Sequence, residues 1–272
     1  MSRLSFIGGG NMARSLIGGL IRHGDAPASI SVAEPYAALR DGLNADFGIV
    51  TSADNAAAAS GADTLLLAVK PQVMKAVCAE LAPAVQRDRP LVISIAAGIR
   101  IDQLEQWLGG EVAVVRCMPN TPALIGAGAA GLIANARVTP AQRVEAERIL
   151  GAAGISVWIE REELMDTVTA LSGSGPAYFF LLVEALEDAA VAQGLPREAA
   201  RALATQTALG AGRMLREDGA APSVLRERVT SPNGTTQAAL ESFAASGLHA
   251  IVARAIDAAA QRGRELSANS GN

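Results

Sequence analysis

The chain has 272 residues, 50% of which are hydrophobic and 18% charged, and its formal net charge is −4. This length and apolar content suffice for one large core or for two modest ones. A net negative charge provides no basic surface for nucleic acid or for an anionic membrane, so neither is expected as a partner.

No feature of the chain predicts export or membrane insertion. The N-terminal MSRLSFIGGG reaches a glycine cluster after one short apolar run, unlike a signal peptide, and no apolar stretch approaches the ~18–20 residues of a membrane-spanning helix. Cys78 and Cys117 lie in apolar surroundings without CxxC or Cys/His spacing. We expect them to be reduced, buried and structural, and we expect no metal site. These features predict a soluble, cytoplasmic protein.

Up to about residue 160, short β-rich runs alternate with amphipathic helical segments. Several of these runs are continuously apolar, as expected for strands that helices cover on both faces. The alternation predicts a doubly wound, mostly parallel α/β sheet. The predicted strands span residues 4–8, 30–34, 48–50, 64–69, 90–97, 112–117, 129–134 and 155–160.

After Glu160 the strand patterns stop and the remaining segments are predicted to be helical. This half is rich in Ala, Leu and Gly, with few charges on several faces. A composition of this kind favours packing against another subunit. The predicted helices span residues 161–172, 176–193, 197–217, 222–230, 235–245 and 248–267.

The segment FIGGGNMA directly follows the first predicted strand and opens the next helix. It carries a Gly-x-Gly-x-x-Ala pattern at Gly8, Gly10 and Ala13. Gly8 permits a tight turn, Gly10 lets the backbone approach a pyrophosphate, and Ala13 allows close packing of helix on strand. The helix N-terminus adds N–H groups and a partial positive charge. The pattern is weak alone, but its place at the first strand of a βαβ chain indicates a dinucleotide site.

The second predicted strand ends in Glu34, for which two interpretations stand. A carboxylate there would bind the ribose hydroxyls of NADH and repel the 2′-phosphate of NADPH. The alternative is a solvated glutamate at a helix start, before Pro35. The residues alone therefore leave the choice of cofactor open.

Two further loops follow strands at the edge where a doubly wound sheet binds its ligand. In LAVKPQ, the proline halts the strand and Lys70 would point into the crevice; the alternative is a surface charge. In ISIAAGI, the small residues Ala96, Ala97 and Gly98 leave space where a flat nicotinamide could lie.

Three later segments combine hydroxyl groups, prolines and glycines. RCMPNTPALIGAG has two prolines around Asn120 and Thr121, and a loop this stiff suits the shaping of a pocket. LSGSGPAYFF predicts a helix start with Ser172 and Ser174 in the capping pattern.

The segment VTSPNGTTQAA predicts another helix start, near Thr235. Unpartnered backbone N–H groups at that start would bind a small anion such as a carboxylate. The alternative is that Thr235 and Thr236 only cap the helix.

Together, GGGNMA, LAVKPQ, SIAAGI, RCMPNTPA, LSGSGPAYF and VTSPNGTTQAA resemble, in order and spacing, the pyrroline-5-carboxylate reductase family. The resemblance runs from residue 4 to about residue 265. It implies an α/β fold with an N-terminal Rossmann-type doubly wound domain, followed by an all-helical dimerisation domain, with homodimers assembled further into rings. The implied reaction is the NAD(P)H-dependent reduction of 1-pyrroline-5-carboxylate to L-proline, the last step of proline biosynthesis. We therefore predict a dinucleotide-binding domain over residues 1–160 and a helical dimerisation and substrate domain over 161–272.

The resemblance also implies the residues that bind each ligand. Those that would hold the cofactor are Gly8, Gly9, Gly10, Asn11, Met12, Ala13, Asn55, Ala68, Val69, Lys70, Pro71, Ala96, Ala97 and Gly98. Those that would hold the substrate are Ser172, Ser231, Gly234, Thr235 and Thr236. Of these, Thr236 is predicted to be catalytic, with its hydroxyl reaching the ring nitrogen.

Members of the family commonly prefer NADPH and carry a small or polar residue where this chain has Glu34. We therefore expect NADPH as the cofactor, with NADH as the alternative and with weaker discrimination than is usual in the family.

Other functions fit the sequence less well. The β-hydroxyacid and ketopantoate-type reductases share the two-domain plan, and those families resemble each other in using a lysine on a helix after the dinucleotide domain as proton donor. This chain has no lysine beyond Lys75. His23 and His249 are poor substitutes. A cyclic imine can arrive already protonated, so its reduction needs orientation more than a strong acid. A non-catalytic NAD(P)-sensing module would not need the SGSGP and TSPNGTT pair.

Overall fold

The computed structural model describes residues 2–269. Within them, the chain forms two compact units, one of residues 2–174 and 259–269 and the other of residues 175–258. Backbone contacts thus divide the chain after Ser174, whereas the predicted boundary rests on the change from strands to helices near residue 160. The two criteria differ, and the boundary between residues 160 and 161 stays a prediction.

Eight strands of the first unit form one sheet, in the order β3-β2-β1-β4-β5-β6-β7-β8. The pairing of β6 with β7 is antiparallel, and the other pairings are parallel. The strands are β1 Leu4–Ile7, β2 Ile30–Ala33, β3 Val50–Ser52, β4 Thr64–Leu67, β5 Leu91–Ser94, β6 Val114–Met118, β7 Gly128–Ala134 and β8 Gly154–Trp158.

The central strands are apolar at successive positions because both faces of the sheet are covered. Side chains alternate between the two faces along a strand. Accordingly, Phe6 and Leu66 belong to one hydrophobic cluster, and Ile7 and Leu65 belong to another. All four side chains are fully buried, which accounts for the apolar runs that predicted a doubly wound sheet.

Helices connect the strands of the first unit, and two of them begin with clear side-chain caps. Asp54 accepts hydrogen bonds from two N–H groups of α3, and Thr139 forms a capping box with Gln142 in front of α6. The α-helices are α1 Asn11–Arg22, α2 Ala37–Phe47, α3 Asn55–Ala59, α4 Pro71–Asp88, α5 Ile101–Trp107, α6 Pro140–Gly151 and α7 Met165–Val168. Short 3-10 helices span Pro27–Ser29, Thr121–Ile125 and Glu162–Leu164, and a π-helix spans Thr169–Gly173.

The second unit is helical. It contains α8 Gly175–Ala192, α9 Arg197–Glu217, α10 Pro222–Arg228, α11 Thr235–Ala245 and the first part of α12 Leu248–Asn269. Glu187 of α8 accepts hydrogen bonds from Arg201 and Arg197 of α9, at 2.8–3.0 Å. The guanidinium groups of Arg201 and then Arg197 hold the pKa of Glu187 below its usual value. This charge-assisted cluster ties α8 to α9.

The structure confirms the predicted α/β fold class and each of the eight predicted strands, within a few residues. The end of β5 differs most, at Ser94 rather than residue 97, and β3 is displaced as a whole, from residues 48–50 to Val50–Ser52. Gly48 adopts the left-handed conformation, with φ at 66°, and thereby ends α2, so the extended chain starts two residues later.

Within the part of the chain that the structure describes, no helix alone is long and apolar enough to cross a membrane. The segments Thr235–Ala245 and Leu248–Ala268 meet that test of length and composition only as a pair, with a bend of 55° at the break between them.

Candidate functional site

The cofactor candidates gather at the carboxyl edge of the sheet, where the strand order reverses. β1 lies between β2 and β4, so the chain winds outward in opposite directions from the neighbouring strands β1 and β4. In sheets of this kind, the crevice at the reversal is where ligands bind. Gly8–Ala13 run from the loop after β1 into the first turn of α1, and Ala68–Pro71 run from the loop after β4 to the first residue of α4.

Gly8 makes the first turn in a way that no other residue could. Its φ is +100°, and its N–H donates to the carbonyl oxygen of Ala33 at 2.8 Å. A Cβ on Gly8 would lie 2.7 Å from the carbonyl oxygen of Ala68. Both the backbone conformation and the close approach of β4 therefore require glycine here.

Gly10 leaves an open approach to the N-terminus of α1. It occupies the N-cap position, and a Cβ there would meet no atom within 4 Å. The helix ladder begins with the Arg14 N–H bonded to the Gly10 carbonyl, so the N–H groups of Asn11, Met12 and Ala13 have no partner inside the helix. Ala13 is fully buried against the sheet. These features fit a pyrophosphate.

Glu34 follows β2 and is not a solvated helix-start residue, because only 6% of it is exposed and α2 begins at Ala37. Its Oε2 accepts the N–H of Gly9 at 2.9 Å, and its Oε1 accepts the N–H of Tyr36 at 3.1 Å. Arg40 donates to the backbone oxygens of Glu34 and Pro35. The carboxylate is thus fixed against the glycine turn, and its oxygens can still accept further hydrogen bonds.

The other cofactor candidates lie at the same edge or beside it. Asn55 begins α3, and its Nδ2 donates to Glu80 Oε2 at 3.0 Å. Lys70 is the exposed N-cap residue of α4, with Pro71 at the first helical position. After β5, Ala96 is 5% exposed, Ala97 is open to solvent, and Gly98 has φ at 75°.

The helix predicted from residue 176 is present as α8, which begins at Gly175, but the predicted capping role of Ser172 is wrong. Ser172 lies inside the π-helix, and its hydroxyl donates backwards to the carbonyl oxygen of Val168 at 3.0 Å instead of capping a helix. The chain is already helical through α7 at this point, so no free helix start exists for the hydroxyl to cap. A π-helix of one turn frequently marks a functional site, so Ser172 remains a substrate candidate.

The segment around Asn233 forms the predicted turn. Asn233 has φ at 58°, the Gly234 N–H donates to the Ser231 carbonyl oxygen at 3.0 Å, and Gly234 is the N-cap residue of α11. The ladder of α11 begins with Ala238 bonded to Gly234. The first three N–H groups of the helix, those of residues 235–237, therefore have no partner inside it.

Neither threonine of this segment caps α11 with its side chain. Thr235 is exposed and Thr236 is half-buried, and neither hydroxyl forms a hydrogen bond among residues 2–269. The interpretation that the two residues serve only as caps is therefore wrong for this structure. Their hydroxyl groups and the backbone N–H groups of the same turn are available to a ligand.

The candidates thus fall into two groups. The cofactor candidates and Ser172 belong to the first unit, whereas Ser231, Gly234, Thr235 and Thr236 belong to the second. Within the described residues, no three His, Cys, Asp or Glu side chains come together in a group that could hold a metal ion.

The two cysteines are buried free thiols, as predicted. Burial raises the pKa of Cys78 to about 12 and raises that of Cys117 well above its usual range. Both are therefore protonated near neutral pH and unsuited to act as nucleophiles. His23 is exposed at the C-cap of α1, and His249 is exposed near the start of α12.

Two polar contacts near the site were not predicted from the sequence. Arg116 of β6 is 4% exposed and pairs with Glu162 at 3.1 Å, and the same Glu162 oxygen accepts the N–H of Ile101. The Asn120 side chain accepts a hydrogen bond from the Ala129 N–H and donates one to the Ser172 carbonyl oxygen. The sequence feature that could have indicated the first contact is Arg116, a charged residue within an apolar strand. For the second contact it is Asn120, which lies between two prolines.

The sheet, the glycine turn and the open helix N-terminus define a Rossmann-type nucleotide-binding oxidoreductase. Consistent with this, residues 3–98 match the family model described as NADP oxidoreductase, coenzyme F420-dependent, and residues 162–266 match that for pyrroline-5-carboxylate reductase dimerisation. The chain belongs to the pyrroline-5-carboxylate reductase family, as the motifs predicted.

Individual relatives match along nearly the whole chain. A pyrroline-5-carboxylate reductase of Pseudomonas aeruginosa is 52% identical over 265 residues, 97% of each chain. A structure of a pyrroline-5-carboxylate reductase from Coxiella burnetii has a TM-score of 0.96 at 43% identity and covers 98% of both chains. The pyrroline carboxylate reductase of Plasmodium falciparum, solved with NADP bound, has a TM-score of 0.83 at 30% identity, again over 98% of both chains.

Replacement of Gly10 by alanine should weaken cofactor binding without disturbing the fold. The added methyl group meets no protein atom within 4 Å, but it occupies the space through which a pyrophosphate would approach α1. We expect Tm to change by no more than about 2 °C and the Kd for NADPH to rise by about tenfold. Calorimetry of folding and of binding measures both.

The matched control is Gly8→Ala, which should lower Tm strongly because of the clash with Ala68 and the positive φ. Wild-type NADPH affinity in Gly10→Ala would rule out an approach of the pyrophosphate at this residue.

Proposed function

We propose that this chain catalyses the NAD(P)H-dependent reduction of 1-pyrroline-5-carboxylate to L-proline, the last step of proline biosynthesis. The observation that carries the proposal is 52% identity over 97% of both chains to a reductase of that name. The structure supports it through a glycine turn and an open helix N-terminus that fit a dinucleotide. In the reaction, the bound cofactor supplies a hydride to the imine carbon, and the ring nitrogen keeps a proton as the amine forms.

The residues proposed to hold the cofactor are those of the glycine turn together with the small residues after β4 and β5. The unpartnered N–H groups of Asn11, Met12 and Ala13 bind the pyrophosphate. Gly8 and Ala68 set the shape of the crevice, and Ala96 to Gly98 leave room for the nicotinamide. Asn55 and the backbone around Lys70 contact the rest of the dinucleotide.

The residues proposed to hold the substrate are Ser172 and the turn at the start of α11. The unpartnered N–H groups at the start of α11 bind the substrate carboxylate, aided by the helix dipole. Gly234 keeps this turn tight, since a Cβ there would lie 3.1 Å from the Ser231 carbonyl oxygen. The Thr236 hydroxyl binds the ring nitrogen, orients the imine and stabilises the amine as it forms.

This chemistry requires no strong acid from the protein, because the imine can arrive protonated. The two lysines lie at the start of α4, and both histidines are exposed at helix ends. The direct test is the loss of absorbance at 340 nm when the purified chain, NADPH and 1-pyrroline-5-carboxylate are mixed. NADPH oxidation that depends on the imine supports the proposal, whereas cofactor binding without oxidation would favour a sensing module.

We also propose that NADPH is the preferred cofactor but that NADH is accepted. The Glu34 carboxylate would repel a 2′-phosphate, and it also anchors Gly9 through a hydrogen bond of 2.9 Å. Replacement by glutamine removes the charge and keeps an oxygen that can accept the Gly9 N–H. We expect Glu34→Gln to shift the ratio of kcat/KM values towards NADPH by roughly 1–2 kcal/mol, the scale of one charge contact near the surface.

Glu34→Ser is the comparison, because it removes the charge and also the acceptor for Gly9. It should favour NADPH to a similar extent while raising the KM for both cofactors. An unchanged ratio in both variants would mean that Glu34 only anchors the turn.

Replacement of Thr236 by valine keeps the shape of the side chain and removes its hydroxyl. We expect kcat/KM for the imine to fall by an amount equivalent to roughly 1–3 kcal/mol of activation free energy. This is the cost of leaving one buried polar group without its hydrogen-bond partner. The Kd for NADPH should hardly change. Steady-state kinetics and a binding titration measure the two quantities.

Thr235→Val is the matched control for Thr236. If that variant loses activity while Thr236→Val keeps it, the catalytic hydroxyl is Thr235. Full activity of both variants would leave only the backbone N–H groups as the substrate site.

The second unit exposes large apolar side chains that we propose are covered by a second copy of the chain in a homodimer, with dimers assembled further into rings. On α8, Phe179, Phe180 and Leu181 are 66, 68 and 64% exposed, more than an isolated helical unit tolerates. The match of residues 162–266 to a dimerisation model supports this proposal.

The dimer should bury more than ~2,000 Å², as obligate dimers do. Light scattering at micromolar concentration should therefore give at least twice the mass of one chain. A monomeric mass together with full activity would contradict the proposal.

A further inference from the structure

Asn120 joins two other segments of the first unit, β7 and the π-helix. Its Oδ1 accepts the N–H of Ala129 at 2.9 Å, and its Nδ2 donates to the carbonyl oxygen of Ser172 at 3.0 Å. The two partners fix the orientation of the amide, because one supplies a donor and the other an acceptor.

The bond to Ala129 continues the pairing of β6 with β7 past the end of β6. In that pair, Met118 lies opposite Gly131, so the same register places Asn120 opposite Ala129. The chain has by then left the sheet to form the 3-10 helix Thr121–Ile125. The Asn120 side chain therefore supplies the acceptor that the backbone of a longer strand would have supplied.

The Asn120 side chain donates to the Ser172 carbonyl oxygen, which lacks the usual hydrogen bond from the N–H four residues later in a helix. The N–H that would reach Ser172 in an α-helix belongs to residue 176, which is a proline and has none. The Asn120 amide provides a donor in its place. Loss of that donor would leave a half-buried carbonyl short of a partner.

The π-helix that carries Ser172 is also packed tightly on the same strand pair. A Cβ on Gly131 of β7 would lie 2.5 Å from Cγ1 of Val168, the residue directly before the π-helix, and a Cβ on Gly173 at the end of the π-helix would lie 2.6 Å from Met118 Cε. One close contact at each end of the π-helix and one hydrogen bond therefore fix its place against β6 and β7.

We propose that Asn120 is a positioning residue for the substrate: it sets the place of the π-helix and, through it, that of Ser172. This inference rests on the proposed function, in which Ser172 contacts the imine substrate. Asn120 itself need not touch substrate or cofactor.

Asn135 offers a matched control at the opposite end of the same strand pair. Its Oδ1 accepts the N–H of Val114, and its Nδ2 donates to the carbonyl oxygen of Val112 at 2.7 Å. Asn120→Ala and Asn135→Ala therefore remove the same kind of backbone bridge from the two ends of β6. Only the first of these bridges reaches the π-helix.

The test compares Asn120→Ala, Asn135→Ala, Ser172→Ala and the double variant Asn120→Ala with Ser172→Ala in the full-length protein. We expect Asn120→Ala to raise the KM for the imine by about tenfold and to leave the Kd for NADPH within about twofold of wild type. Asn135→Ala should lower Tm and leave both constants unchanged. The double variant should be no worse than Ser172→Ala alone, because the two residues act through one contact.

A second readout does not depend on activity. Amide hydrogen exchange in residues 169–175 should become faster in Asn120→Ala and should not change in Asn135→Ala. The inference is overturned if exchange there is unaffected, if NADPH binding weakens as much as substrate binding, or if the two single effects multiply in the double variant. A wild-type chain that does not reduce the imine would refute the proposed function, and the exchange measurement would still decide the role of Asn120.

Discussion

The close approach of the chain at the ends of β1 and β4 is the constraint on which the candidate cofactor site depends. At Gly8, a side chain is excluded by the Ala68 carbonyl oxygen, which would lie 2.7 Å from a Cβ. Because the two loops are in contact, the chain must turn sharply into α1, and the helix N-terminus then faces the crevice at the strand-order reversal. The next residue is held from the other side by Glu34. The turn is thus fixed by backbone contacts and one carboxylate, with no large side chain in the way of a ligand.

Most of the fold could be predicted from the sequence because it follows from local patterns. Three patterns each indicate the conformation of only a few neighbouring residues: apolar runs of strand length, glycines at turns, and helix starts such as that at Pro71. The strand positions were therefore predicted closely, and β3 starts later than predicted because Gly48 forms the C-cap of α2. The glycine turn was predicted for the same reason, since its φ and its position after β1 are local properties.

The rest depends on contacts between residues far apart in the chain, which no local pattern records. Ser172 was expected to cap a helix, but a helix already runs through it, and a proline four residues later disturbs the ladder there. Glu34 was ambiguous between solvent and cofactor, and its carboxylate is held by the N–H of Gly9, 25 residues away in sequence. The bridge made by Asn120 joins residues 52 positions apart. Such features become visible only once the sheet has brought these segments together.

The two helices to which ligands are assigned, α1 and α11, share a feature that limits how the protein can be stabilised. Both have glycine at the N-cap and no side-chain cap, whereas α3 and α6 are capped by Asp54 and Thr139. Serine or aspartate at either position would satisfy one of the free N–H groups. At Gly10 this would strengthen the helix, whereas at Gly234 the added Cβ would also lie 3.1 Å from the Ser231 carbonyl oxygen. The same side chain would take the place of the ligand. An engineer who stabilises α1 by this rule would therefore make a more stable protein whose own side chain competes with its cofactor.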